Sequence, residues 1–373
     1  MSSNLALPKD IHNLKPEHVT EAIALTSGQK GGATPEQEEA ISAAIRLLLN
    51  DFESRKERYS DNTLMQLVAN WSKYVAWCTA NHFASLPSHR ETVLSFFRAH
   101  ENTFHRSTRQ SYSWAISKMH RITGCPNPMI DEKCKDIIAG MNKKALLAGE
   151  EISQASAFRE KHLDAITQLW RHSDSLLKRR DLVIVTLAYE TMLRASELCN
   201  IRFKDLEDLD DGRCLLTIPY TKTNKSGKPE FTVLSVEAMD ILDEYLKLSN
   251  RKSCAPLEYV INGVTKHGGN RNHVLNFDKE TGERSYKKLS TQTIEIAFNK
   301  AWEDLKLSER RTKTFTSHSA RVGATQDMLS WGDSAIAVQQ AGRWNNPAMP
   351  LRYGKNILAQ EGAMAKRRAH RGR

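Results

Sequence analysis

Several chemistries are missing from this sequence. Its six cysteines, Cys78, Cys125, Cys134, Cys199, Cys214 and Cys254, are scattered and form no CxxC pair. That spacing argues against a structural zinc site and fits free, mostly buried thiols in a reducing compartment. Long apolar runs are absent as well. The most apolar stretch, Leu182 to Leu193, is broken by Thr186, Glu190 and Thr191, far short of the roughly 20 residues a membrane-spanning helix needs. The first 30 residues have no basic start followed by an apolar core, so no secretory leader is expected, and the expected location is cytoplasmic. No HExxH, GxxxxGKS/T or GxGxxG occurs, which removes the usual signals for zinc hydrolysis, nucleoside triphosphates and dinucleotides. Acid is short too: 44 Asp and Glu face 54 Lys and Arg, a net charge of +10. An excess of that size points to a polyanionic partner, with a merely basic, soluble surface as the alternative.

What is present is an ordinary globular balance, 40% apolar and 26% charged over 373 residues, enough for two domains. Residues 1–35 read as a flexible lead that ends in the Gly-rich stretch before Pro35. Residues 36–147 read as a helical domain. Ser60 caps a helix whose stripe is Leu64, Leu67, Val68, Trp71, Val75 and Cys78; further helices run over Val93–Phe97, Ser107–Arg121 and Asp131–Leu147. Residues 148–156 form a polar linker, and 157–373 a second domain. There, helices are expected at 160–172, 177–193, 236–248, 290–306, 318–331, 334–342 and 348–358. A strand from Cys214 to Pro219 pairs with Phe231–Leu234 across the turn Asn224–Lys228. Residues 262–288 read as a long loop. The fold class is therefore mainly α with a small β-sheet, α+β. The tail from Lys366 to Arg373 carries five Lys or Arg and no acid, suiting either a DNA-contacting arm or a solvated end.

Three segments concentrate chemistry: Met192–Leu198 with Arg194 and Glu197, Ser317–Ala324 with His318 and Arg321, and Gly342-Arg343-Trp344 followed by Tyr353. A phosphodiester reacts best where charge developing on its oxygens meets fixed cations. Arginine suits this because its planar fork binds two oxygens and stays charged. His318 and Arg321 are three apart at a helix start and share a face. Trp344 offers an indole N–H. Tyr353 offers a hydroxyl that is a poor nucleophile without a cationic site or a base. Each residue alone has a duller reading: an ion pair for Arg194 and Glu197, a cap or core residue for His318, a core anchor for Trp344, packing for Tyr353. The remaining histidines, such as His82, His89, His100 and His105, form no pair with metal spacing and read as surface or DNA-facing.

Taken together in this order and spacing, the segments resemble the tyrosine recombinase (phage integrase) family over about residues 40–370. The resemblance implies a helical core-binding domain and a catalytic domain closing on DNA as a C-shaped clamp. It implies Tyr353 as nucleophile, forming a 3′-phosphotyrosyl link. Arg194 and Arg321 would clamp the scissile phosphate, His318 would act as acid/base or phosphate donor, Trp344 would hydrogen-bond the phosphate, and Glu197 would orient the site. Lys222 matches the family's strand-turn lysine and would protonate the leaving 5′-oxygen, with Lys225 and Lys228 in the same turn as alternatives. No metal or other cofactor is implied. For DNA reading, Arg106, Arg109, Gln110 and Tyr112 stand at one helix start, with a solvated polar face as the alternative. Gln292 and Glu295 stand on a helix that the family lays in the major groove, where Gln292 could read adenine and Glu295 could accept from cytosine N4. Gln292 replaces an arginine of the likened sequence, which implies a different target. The segment from about 355 to 373 resembles one that packs into a neighbouring subunit. The implied partner is double-stranded DNA with paired, short inverted-repeat (lox-like) sites in a bacterial nucleoid, plasmid or phage. The implied assembly is a homotetramer on DNA, monomeric or weakly associated when free, and without a membrane. A catalytically silent DNA-binding regulator and a type IB topoisomerase-like enzyme are the rival readings.

Overall fold

The computed structural model describes residues 35–54, 56–151, 154–218, 228–251, 254–271, 274–277, 284–310, 312–360 and 367. The chain divides into two compact units, residues 1–152 and 153–373.

The first unit is helical: α1 (Pro35–Ser54), α2 (Asp61–Ala80), α3 (Arg90–Ala99), α4 (Arg106–Ile122) and α5 (Glu132–Leu147). Its helix starts follow from capping side chains that satisfy otherwise orphaned N–H groups. Ser60 Oγ accepts from Thr63 N at 3.3 Å and Asp131 Oδ1 from Cys134 N at 3.3 Å. Two histidines cap as well: His89 Nδ1 accepts from Glu91 N and His105 Nδ1 from Ser107 N. The expectation for these histidines is surface or DNA-facing: His89 is exposed while it caps, His105 is half-exposed while it caps, and His100 stacks on Phe104 at 4.3 Å. Tyr74, Cys78, Val93, Phe96, Phe97, Tyr112, Ile116 and Met141 form the core.

The second unit holds α6 (Glu160–Trp170), α7 (Leu176–Thr191), α8 (Ala195–Leu198), β1 (Leu206–Asp208), β2 (Cys214–Ile218), β3 (Glu230–Leu234), α9 (Val236–Leu248), β4 (Val274–Phe277), β5 (Arg284–Tyr286), α10 (Thr291–Asp304), α11 (Ser319–Trp331), α12 (Ala335–Ala341), α13 (Ala348–Tyr353) and α14 (Lys355–Gln360). α7 is the axis. It is buried around its circumference from Leu182 to Tyr189, as a helix apolar on all sides must be, and packs against α6, α9, α10 and α11. β1, β2 and β3 form an antiparallel sheet in that order, with Cys214 opposite Leu234 and Thr217 opposite Phe231. The expected loop at 262–288 contains the antiparallel pair β4–β5 instead. The expected helix over 348–358 is two helices parted at Gly354, where an added Cβ would come within 2.0 Å of Leu329 Cδ1. Gly323 serves close approach too. A Cβ there would lie 1.7 Å from the Phe158 carbonyl oxygen, because the strand of chain entering α6 crosses α11 and bonds Phe158 N to Ser319 O at 3.0 Å. No described helix is long and apolar enough to cross a membrane. All six cysteines are free, and all but Cys254 are buried.

Candidate active site

The site begins where α7 ends. Met192 takes a left-handed φ of +51°, which terminates the helix and leaves the Thr191 and Met192 carbonyls without helical partners. Arg194 then caps α8. Glu197, one turn on and 8% exposed, accepts from the Arg194 N–H at 2.9 Å and from its Nη1 at 2.8 Å. Both bonds run from Arg194 to the one carboxylate and hold the guanidinium half-exposed in a fixed orientation.

α11 supplies the next two groups. Arg321 is 1% exposed. Its Nη1 donates to the Met192 carbonyl and its Nη2 to the Gly342 carbonyl at 2.9 Å, while its buried Nε–H has no protein acceptor. The Trp344 ring lies against the guanidinium, 4.8 Å from Cζ. Gly342 is required beneath that ring, since an added Cβ would sit 2.0 Å from Trp344 Cζ3. His318, at the mouth of α11, bonds through Nε2 to the Tyr353 hydroxyl. Tyr353 closes α13, is 6% exposed, and meets the Trp344 ring edge-on at 5.8 Å. Its carbonyl accepts from Gln326 Nε2 at 3.1 Å and Gln154 Nε2 at 3.5 Å.

Clustered cations set the protonation states. Burial, and then Arg321, Arg194 and Arg352, pushes His318 down to about 4, so the imidazole is neutral at physiological pH. With its proton on Nδ1, it accepts from the Tyr353 O–H. Burial raises the Tyr353 hydroxyl, and Arg321, Arg352 and Arg194 pull the other way. Arg321 is itself lowered to about 10, by burial first and then by Arg194 and Arg343. The result is a cluster of mutually repelling cations around the Tyr353 hydroxyl.

The structure thus brings Arg194, Glu197, His318, Arg321, Trp344 and Tyr353 together. Lys222 and Lys225 lie outside the described residues. Other expectations need correction. Arg106 is engaged by Glu150, with Nε on Oε1 at 2.9 Å and Nη2 on the carbonyl at 2.7 Å. Arg109 is 2% exposed and donates to Asn142 Oδ1 at 3.1 Å and the Glu101 carbonyl at 2.8 Å. Tyr112 is a core residue stacked on Phe104 at 4.8 Å. Arg109 and Tyr112 are therefore turned into the interior of their unit, and Arg106 is held by Glu150, which places all three in the fold's own hydrogen bonding and packing. Gln110 and Gln292 are exposed. Glu295 Oε2 accepts from the Ser317 N–H at 2.6 Å, so one of the two carboxylate oxygens expected for base reading is engaged within the fold. Three contributors were not anticipated: Gln154 and Gln326 at the Tyr353 carbonyl, and Arg343. Arg343 adopts φ +53° and donates Nη2 to the Thr191 carbonyl at 2.6 Å. Only its place between Gly342 and Trp344 could have signalled it.

Residues 158–357 match the Phage integrase family, over half of the chain. The recombinase Cre of Escherichia phage P1 is 28% identical over 338 residues, 88% of this chain and 94% of that protein. An integrase/recombinase xerD homolog of Selenomonas ruminantium is 23% identical over 50% of this chain and 54% of its own. Among solved structures, the XerH site-specific recombinase bound to its difH substrate shares the fold at a TM-score of 0.53 and 12% identity, over 90% of each chain. A lambda integrase dimer on a COC′ core site does so at 0.50 and 14%, over 83% of this chain and 94% of that one. By that match, and with its arginines, histidine, tryptophan and tyrosine gathered in one cluster, the chain belongs to the phage integrase family, the tyrosine site-specific recombinases.

Proposed function

We propose that this recombinase cleaves and rejoins duplex DNA at paired, short inverted-repeat, lox-like sites through a 3′-phosphotyrosyl intermediate and a Holliday junction. The observation that carries this reading is the Tyr353 hydroxyl bonded to a neutral His318 beside Arg194 and Arg321. Arg194 and Arg321 hold the non-bridging oxygens of the scissile phosphate, and the unpartnered Arg321 Nε–H is one donor such an oxygen would satisfy. Tyr353 Oη attacks phosphorus and gives its proton to His318 Nε2. The bond to the 5′-oxygen breaks, and that oxygen takes a proton from Lys222, the role the family resemblance assigns. Trp344 donates its indole N–H to the phosphate, and Glu197 keeps Arg194 aimed. One phosphoester replaces another, so rejoining needs no nucleotide and the scheme needs no metal. Gln110 and Gln292 are the exposed candidates for contact with bases. The reading extends to two units closing on the duplex and to four protomers on two sites, with the segment from α14 onward exchanged between neighbours.

The test is covalent trapping. The protein is mixed with fragments of its source replicon, denatured with detergent, and the protein-linked DNA is sequenced. Wild type is expected to yield adducts at one inverted-repeat sequence, and Tyr353→Phe none. Adducts in Tyr353→Phe would remove Tyr353 as nucleophile. Tight, sequence-specific binding with no adduct would make the chain a silent DNA-binding regulator. Relaxation of supercoils without exchange between sites would make it topoisomerase-like.

A further inference from the structure

One hydrogen bond joins α10 to the turn that presents His318, and the chemistry above does not use it. Glu295 Oε2 accepts from the Ser317 N–H at 2.6 Å, immediately before His318 in sequence. The rest of that turn closes on itself. Ser319 N–H donates to the Thr316 carbonyl at 2.9 Å, Thr316 N–H to Ser319 Oγ at 2.9 Å, and His318 N–H to Thr316 Oγ1 at 3.3 Å. The Ser317 N–H instead leaves the turn, and a carboxylate is the strongest acceptor it could meet. On the far side the turn is pinned by Phe158 N–H on the Ser319 carbonyl at 3.0 Å.

α10 faces two ways. Ile294, Ala297, Phe298 and Ala301 are buried, whereas Thr291 and Gln292 are exposed. Glu295 is half-buried, one turn from Gln292 and on the same side of the helix. The helix whose outer turn is the candidate base reader therefore also grips the backbone in front of the base that faces Tyr353.

We propose that Glu295 is a positioning residue: it fixes His318 in the frame of α10, so that the seating of α10 on a duplex sets the distance from His318 Nε2 to the Tyr353 hydroxyl. This rests on the roles given to His318 and α10 under Proposed function. A base displaced by about 1 Å can slow a reaction about a hundredfold, and a free turn would permit that displacement.

The test compares Glu295→Ala, Glu295→Gln and His318→Ala with wild type. Single-turnover cleavage and binding are measured on a nicked duplex carrying the sequence recovered by trapping. Glu295→Ala is expected to bind as wild type and to cleave about tenfold to a hundredfold more slowly. Glu295→Gln keeps an acceptor oxygen and is expected to recover most of the rate. Hydrogen exchange of the peptide spanning Ser317 is expected to be slow in the wild-type protein alone and faster in Glu295→Ala. Wild-type cleavage by Glu295→Ala would overturn the inference, as would a Ser317 amide unprotected in wild type or Glu295→Gln as slow as Glu295→Ala. A changed base preference at an unchanged rate would make Glu295 a reader instead. If His318→Ala cleaves normally, the reading of His318 itself fails; if only His318→Ala is slow, the inference alone fails.

Discussion

A histidine held neutral decides how pH acts on this enzyme. His318 titrates at about 4 rather than near 6.5, because burial and the surrounding arginines disfavour its charged form. Protonation would remove the acceptor that faces Tyr353, so activity depending on His318 persists above its folded pKa and is lost as pH falls through about 4. Single-turnover cleavage measured at pH 5.5, 6.5 and 7.5 is therefore expected to show no acidic limb from this residue. A limb centred near 6.5 would mean that His318 is not held neutral. At this scale the grouping of arginines, histidine, tryptophan and tyrosine was legible in the sequence through the family resemblance, and the structure brings those side chains together. The DNA-reading residues were not. Arg109 and Tyr112 lie three apart and share a helix face, as periodicity says, but the face is the inner one. What makes an inward arginine tolerable is Asn142 and a carbonyl at Glu101, partners too distant in sequence for local spacing to reveal.

Among the elements, those with a capping side chain and a clean apolar period were the readable ones. α5 starts after Asp131 and α9 after Ser235, where the cap accepts from the third residue of the helix. β4 and β5 were hidden because their segment is rich in glycine, asparagine and lysine, which reads as loop. β1 spans three residues, too few to alternate visibly. Two glycines separate packing from propensity. Gly323→Ala would drive a Cβ into the Phe158 carbonyl and is expected to lower stability by roughly 3 kcal/mol or more. Gly140→Ala, in the middle of α5 with open space around it, is expected to raise stability by roughly 0.5–1 kcal/mol. Urea melts of both variants check the contrast, and equal effects would contradict the crossing of α11 by the chain entering α6.

For the whole molecule, the net charge of +10 makes ionic strength the controlling variable for DNA binding. If about six to ten phosphates are neutralised, affinity is expected to fall roughly 10³–10⁵-fold between about 50 and 200 mM salt. Fluorescence anisotropy across that range measures the slope. Tyr353→Phe should leave it unchanged, because no charge is lost, whereas Arg194→Gln should reduce it by about one. A flat salt response would separate the positive surface from DNA altogether. The arginine cluster has a consequence beyond binding. Arg321 is held down to about 10 by burial first and then by Arg194 and Arg343, so the fold bears a cost in keeping these charges together. Selection for heat tolerance alone would erode this corner of the protein first, since neutral residues would sit there more comfortably. Lineages that no longer recombine should therefore lose the arginines while the surrounding helices persist, and the cluster would serve as a record of whether the reaction is still in use.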